Sequence, residues 1–155
     1  MADPAARPAT LLPPPLVYAA GLVAGWWINR YIPLGFAGTG MLHSLGWGLV
    51  SLGVMLTLWA ALTIWRHRTT VNPYKPVSTL VTSGPFGFSR NPIYTGDWLV
   101  YAGVTLLLQT YWTVALAPVV WWFMRYHVIA HEEAHLAIRF GEAYRGYCDR
   151  VRRWI

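Results

Sequence analysis

Charge is scarce in this chain. Of its 155 residues only 12% are Asp, Glu, Lys or Arg, and only six are acidic. A soluble globular domain carries about 25% charged residues, so an ordinary water-facing surface is excluded. Cysteine is nearly absent. Cys148 stands alone, which rules out an internal disulfide and leaves the redox compartment open. The net charge of +6 has no base-reading motif beside it. The arginines sit instead at the edges of apolar runs and near the C-terminal end, as at cytoplasmic membrane boundaries. Nucleic acid is therefore not expected as a partner. There is no internal repeat and no low-complexity tract beyond an Ala/Pro-rich start. No clear cleavage site follows Arg7 and the proline cluster, so the first apolar run is expected to be a retained helix and not a signal peptide.

What the chain has in abundance is apolar. It is 55% hydrophobic and holds ten tryptophans, a composition that points to the bilayer. Residues 1–12 are expected to be a flexible N-terminus. Pro13-Pro14-Pro15 opens a first helix, about Leu16 to Ile32, with Trp26 and Trp27 near the far interface and Arg30 snorkelling. Pro33, Gly35, Gly38 and Gly40 form a loop. A second run, about Met41 to Trp65, exceeds the ~20 apolar residues that cross a bilayer, and Gly46, Gly48 and Gly53 are sites for close helix approach. After Arg66-His67-Arg68 the chain is polar and turn-rich, with Pro73, Lys75 and Pro76. A third run spans Pro92 to about Gln109. A turn at Thr110 to Trp112 leads to a fourth, about Thr113 to Met124, which continues as helix through Arg125 and His127. The positive-inside rule puts the Arg66–Arg90 loop and the arginine-rich end on the cytoplasmic side. The expected fold is all-α. It is a polytopic membrane helical bundle of about four transmembrane helices plus a C-terminal cytoplasmic helix, with both termini cytoplasmic and residues 13–155 as a single domain.

Two clusters carry the chemistry. The first is Gly84 to Gly96, GPFGFSRNPIYTG, where Gly84-Pro85 and Gly87 turn the chain and Asn91-Pro92 starts a helix. It puts Arg90, Asn91 and Tyr94 at a helix mouth on the polar boundary. The bland alternative is a basic loop facing lipid head groups. The second is His131-Glu132-Glu133-Ala134-His135 followed by Leu136, Phe140, Tyr144 and Tyr147. HEEAH fits the H-E-x-x-H pattern of zinc peptidases. A third ligand at a recognised spacing is missing, so histidines on a wet helix face are the better reading and no metal is expected. Two carboxylates just past a membrane helix are costly unless solvated, paired or used, which singles out Glu132 and Glu133. Leu136, Phe140, Tyr144 and Tyr147 recur every three or four residues and are expected to fold back onto the core as packing groups.

Together the clusters resemble the isoprenylcysteine carboxyl methyltransferase and phospholipid methyltransferase superfamily of integral membrane enzymes. The shared pattern is Leu80-Val81-Thr82-Ser83-Gly84-Pro85, Arg90-Asn91-Pro92-x-Tyr94-x-Gly96, then Glu132-Glu133-x-x-Leu136, Phe140-Gly141, Tyr144, Tyr147 and Val151. It covers the second half of the chain, Ser78 to Ile155. The resemblance implies S-adenosylmethionine as methyl donor, a donor site on the cytoplasmic side built from residues 78–155, and a lipid-like or isoprenoid acceptor entering from the bilayer. Ser78, Thr79, Leu80 and Val81 match the loop whose backbone holds the cofactor. Phe86 falls at an aromatic position, Asn91, Pro92, Ile93 and Tyr94 match a contact stretch, and Glu132 matches a cofactor-contacting glutamate. A carboxylate suits the donor's ammonium and aromatic faces suit its adenine or its sulfonium. Arg90 is a candidate for neutralising an acidic acceptor head group. If the acceptor is an amine, a histidine such as His127 or His131 is a candidate base. A bacterial-type inner membrane is the expected location. Oligomeric state is left open.

Three positions depart from that pattern. Asn91 stands where histidine is usual, a common bacterial variant. Asp97 follows Gly96 where methyltransferases usually carry an apolar residue. Val128 stands where the prenylcysteine enzymes place a substrate-binding arginine, and Arg125 is the nearest basic residue. The Gly96-Asp97 pair is also familiar in the sterol-reductase fold, which makes an NADPH-dependent membrane oxidoreductase the alternative. Glu132-Glu133 and the Val151-Arg152-Arg153-Trp154 ending favour the methyltransferase.

Overall fold

The computed structural model of the chain describes residues 13–67 and 79–155. The expected flexible N-terminus, the Arg68 to Pro76 stretch and Ser78 lie outside the described residues. Among those described, every named element is helical, and an isolated antiparallel bridge pairs Gly35 with Thr110.

Local chemistry sets the boundaries. Helix α1 (Pro14–Tyr31) places Pro14 and Pro15 in its first turn, where a missing N–H breaks no hydrogen bond. Helix α2 (Gly40–Arg66) is capped by Thr39, whose hydroxyl accepts from the Leu42 N–H at 3.2 Å. Helix α3 (Pro92–Leu108) starts at Pro92 and stops at Gln109, which adopts a left-handed φ of 52°. The Thr110 hydroxyl accepts from the Trp112 N–H and starts α4 (Tyr111–Phe123). The α3–α4 turn is therefore Gln109–Thr110, tighter than the expected Thr110 to Trp112. Helix α4 runs on through a π-helical segment, Met124–Ile129, into α5 (Ala130–Phe140). A single C-terminal helix was expected, but Gly141 ends α5 at a φ of +50° and α6 (Glu142–Arg150) follows. Glycine reaches that backbone conformation at no steric cost.

Glycines hold the helices close. On α2, a Cβ at Gly53 would lie 2.5 Å from the carbonyl oxygen of Gly96 on α3, and a Cβ at Gly103 would lie 2.6 Å from that of Gly46. Gly48 faces open space, so the close approach expected there does not occur. Gly21 and Gly25 let α1 lie against Val120 and Thr113 of α4. These are the small-residue contacts of membrane helix pairs. Tyr18, Tyr94, Tyr101, Val120, Met124, Val128 and Ile129 form the core between them. The outer faces carry exposed Val23, Leu45, Leu52, Met55, Leu58, Leu62 and Val119, a spread of apolar surface that belongs against lipid. Helix α2 and the unbroken Tyr111–Phe140 stretch are long and apolar enough to cross a membrane. The remaining two, α1 with 18 residues and α3 with 17, are shorter than the ~20 of a full span.

The bundle has two different ends. At one, the α1–α2 loop is tied to the α3–α4 turn. Phe36 N–H donates to the Gln109 carbonyl at 3.1 Å, Tyr111 N–H to Leu34 at 2.9 Å, and the Trp112 indole to Ile32 at 2.8 Å. The other end gathers the loop before α3, α5, α6 and the tail after Val151.

Candidate active site

The site starts with a turn. Gly84, at a φ of +59°, leads into a 3-10 turn over Gly84–Gly87, and both Phe88 and Ser89 N–H groups donate to the Pro85 carbonyl. That leaves Ser89 fully buried, its hydroxyl accepting from the Asn91 N–H at 3.2 Å. Asn91 does not cap α3. Its Nδ2 donates to the Arg153 carbonyl at 2.9 Å, while the Arg90 N–H donates to the Arg152 carbonyl at 2.9 Å. The chain's last residues are thus stitched to the mouth of α3.

Side chains close the same gap. The Tyr94 hydroxyl donates to Glu132 Oε2 at 2.9 Å and ties α3 to α5. Glu133 accepts a two-pronged grip from Arg153, Nε to Oε1 and Nη2 to Oε2, each at 2.8 Å. Arg90 Nη2 lies 3.5 Å from the same carboxylate. Arg90 also meets the Cys148 thiol through Nη1, and its Nε is buried with no partner. Its hydrogen bonds to Glu133 raise the pKa of the Arg153 guanidinium further above its ordinary value, so the arginine stays charged at every working pH. The Tyr147 hydroxyl donates to the Phe86 carbonyl at 2.8 Å, and burial pushes its pKa up to about 12. Burial, with the Glu133 charge second, raises Tyr144 well above the ordinary phenol range.

These contacts surround a cleft. It is lined by Thr79, Leu80, Val81, Phe86, Arg90, Asn91, Glu132 and Glu133, together with Ile64, Leu136, Tyr144 and Tyr147. Behind its open mouth the cavity measures about 90 Å³. The lining combines apolar side chains with two carboxylates and a guanidinium. Pro92 is fully buried and Ile93 packs on the core, so both sit behind the cleft and not on its wall. Tyr94 reaches it through Glu132. His127 lies apart. It stacks on Phe123 of its own helix at 4.8 Å, tilts against Trp122 at 4.9 Å, and is not among the lining residues.

Residues 41–143, which take in the turn, the mouth of α3 and the acid pair, match the phospholipid methyltransferase family. The chain belongs to that family. Two curated relatives also match this phospholipid methyltransferase family member. The chain is similar to protein-S-isoprenylcysteine O-methyltransferase B of Arabidopsis thaliana, 29% identical over 139 residues, 88% of this chain and 63% of that protein. It is also similar to the protein-S-isoprenylcysteine O-methyltransferase of Schizosaccharomyces pombe, 33% identical over 72 residues, 46% of this chain and 30% of that one. The chain thus spans less than two thirds of the length of either. No solved structure matches it. The family match gives the oxidoreductase alternative no support.

Several members of the cleft escape sequence reasoning. Tyr144 and Tyr147 read as packing groups, and they do pack, with Val151, Leu80, Leu136 and Phe140. They also line the cleft. Their spacing shows that they share a face but not what the face meets. The partnership of Arg153 with Glu133 is equally silent in sequence, because nothing local fixes where the tail goes. Ile64, near the end of α2, carries no motif at all.

Proposed function

We propose that this chain is an integral membrane methyltransferase that takes S-adenosylmethionine as donor and methylates a lipid-like acceptor reaching it from the bilayer. The observation that carries the reading is the cleft. It unites the Thr79–Asn91 loop with Glu132, and the Tyr94–Glu132 hydrogen bond locks the two segments together. The donor set suits the cofactor. When bound, S-adenosylmethionine supplies an electrophilic methyl group on a sulfonium cation. Glu132 is placed to pair with a cationic amine, since Tyr94 is its hydrogen-bond partner among the described residues while Glu133 is taken by Arg153 and Arg90. Phe86, Tyr144 and Tyr147 offer aromatic surface to a base. Thr79, Leu80 and Val81 line the same cleft and offer backbone groups to it, with Ser78 adjoining them in sequence. Methyl transfer is an in-line displacement, so holding both partners still supplies most of the acceleration.

The same reading places four helices across the bilayer and both termini with the cleft on the cytoplasmic face. Arg66, Arg90, Arg150, Arg152 and Arg153 fall at or near the cleft end in the chain's path, and Arg30 at the other. Residues 13–155 then act as one domain whose second half holds the cofactor. The names of the curated relatives support an isoprenoid or other apolar acceptor. The test is labelled-methyl transfer from S-adenosylmethionine by the purified chain over total membrane lipid, with mass spectrometry of the product. Transfer to an apolar product is expected. Absence of transfer, together with no binding of S-adenosylhomocysteine, overturns the proposal.

A further inference from the structure

A short stretch of irregular chain touches two cavities. Helix α6 ends where the Val151 N–H donates to the Tyr147 carbonyl, and Val151 itself is extended and buried. Arg152, Arg153 and Trp154 follow outside any helix. Among the described residues, three partners hold this segment by hydrogen bonds. The Arg152 carbonyl accepts from the Arg90 N–H and the Arg153 carbonyl from Asn91 Nδ2, each at 2.9 Å, and the Arg153 guanidinium grips Glu133. Arg90, Asn91 and Glu133 all line the cleft. The next side chain belongs to another cavity. Trp154 forms part of the wall of an open groove of about 480 Å³, with Trp98 of α3 and Val114, Ala117, Pro118 and Trp121 of α4. Val114 and Trp121 are exposed, so the groove opens on the apolar surface that belongs against lipid.

The two cavities differ in chemistry and adjoin in space. The groove is lined by apolar and aromatic side chains, and the cleft adds two carboxylates and a guanidinium. Consecutive Cα atoms are about 3.8 Å apart, so one residue step, Arg153 to Trp154, leads from the partners of the cleft to the wall of the groove. A single amphiphile fits this pair, with its apolar chain in the groove and its polar end in the cleft. The segment that stands between them is also the easiest part to move. None of its anchors is a backbone bond of α3, α4 or α6. A stretch held by few contacts opens at a lower free energy than helices whose bonds break together.

We propose that residues 152–154 are a movable partition between the groove and the cleft, and that the acceptor passes from one to the other when the segment swings aside about Val151. The inference rests on the methyltransferase reading and names the gate through which its acceptor arrives. In the closed state Trp154 seals the groove side and Arg153, bonded to Glu133 and Asn91, seals the cleft side. In the open state those bonds are released while α6 keeps its last turn, because the Val151 N–H stays on the Tyr147 carbonyl. The acceptor's chain then lies in the groove with its reacting end inside the cleft.

The Arg90 N–H gauges the opening, because it donates to the Arg152 carbonyl while its neighbours Phe88 and Ser89 donate to Pro85. The experiment uses the full chain in detergent. Residue-resolved hydrogen exchange follows these three amides, and calorimetry follows S-adenosylhomocysteine. Stopped-flow tryptophan fluorescence follows association of S-farnesylcysteine, an apolar chain with a polar end. Arg153→Ala is expected to speed Arg90 exchange at least tenfold, with Phe88 and Ser89 within twofold of wild type. Trp154→Ala is expected to speed association of S-farnesylcysteine several-fold, with S-adenosylhomocysteine affinity within twofold, and it serves with the wild-type exchange pattern if Arg153→Ala does not fold. Arg90 exchange that moves only together with Phe88 and Ser89 overturns the inference, because the whole mouth of α3 then opens. No saturable response of the wild type to S-farnesylcysteine overturns it, as does association that is unchanged or slower in Trp154→Ala. Failure of the wild type to bind S-adenosylhomocysteine overturns the methyltransferase reading instead, and exchange and association still decide whether the partition moves.

Discussion

Replacing Glu133 with alanine removes the carboxylate that two arginines share. Arg153 donates to it twice at 2.8 Å, and Arg90 lies 3.5 Å away. The side chains are 17% exposed for Glu133, 15% for Arg90 and 31% for Arg153. Fully exposed pairs contribute about 0–1 kcal/mol, and breaking a fully buried pair costs about 3–5 kcal/mol. Partial burial and two-pronged geometry place the Arg153–Glu133 coupling between these, at about 2 kcal/mol. A double-mutant cycle isolates it: Glu133→Ala, Arg153→Ala and the pair together. In a chain of this length about 2 kcal/mol corresponds to roughly 4–8 °C in the unfolding midpoint, read by tryptophan fluorescence in detergent. Each single variant should lose more than this coupling alone, because each strands a charge. A coupling below about 0.5 kcal/mol would show an ordinary surface pair and refute the claim that this ion pair clamps the tail over the cleft.

Two further outcomes are expected. Gly53→Ala pushes a methyl group against the Gly96 carbonyl, a Cβ contact of 2.5 Å, and should cost about 1–3 kcal/mol as overpacking; Gly48→Ala, in open space, should be neutral or stabilising by about 0.5–1 kcal/mol, and equal midpoints for the two would contradict the α2–α3 packing. Tyr147 is neutral in the fold up to about pH 12, against an unfolded phenol near 10, so its contribution is complete below pH 10 and is lost as pH rises from 10 to 12; Tyr147→Phe should flatten the decline in stability over that window, and an identical decline would remove the role given to its bond with Phe86.

Much of this architecture is legible in the sequence because short-range chemistry fixes it. Pro14 and Pro15, Thr39, and the Asn91-Pro92 step mark helix starts that the fold uses. Hydropathy alone delivers an all-helical chain. It does not settle helix length in the bilayer, and α3 stops at 17 residues because Gln109 turns left-handed. The break at Gly141 was hidden because one glycine in a helical pattern is also tolerated mid-helix. Gly46, Gly48 and Gly53 look alike in sequence and differ only in the azimuth each takes towards α3. The site was legible where turn chemistry and paired acids carry a local cost, at Gly84-Pro85 and Glu132-Glu133. It was illegible where long-range contacts decide: the tail reaching back to Arg90 and Asn91, and the phenols of α6 facing Phe86.

The claim on which the account stands is that Glu132, held by Tyr94, receives the cationic end of the methyl donor. Calorimetric titration of the purified chain with S-adenosylhomocysteine, for wild type and Glu132→Gln, measures it directly. The account predicts one saturable site in the wild type and an affinity at least tenfold weaker in the variant, with the unfolding midpoint within a few degrees. Equal affinities in the two proteins, or no binding by the wild type, would contradict it.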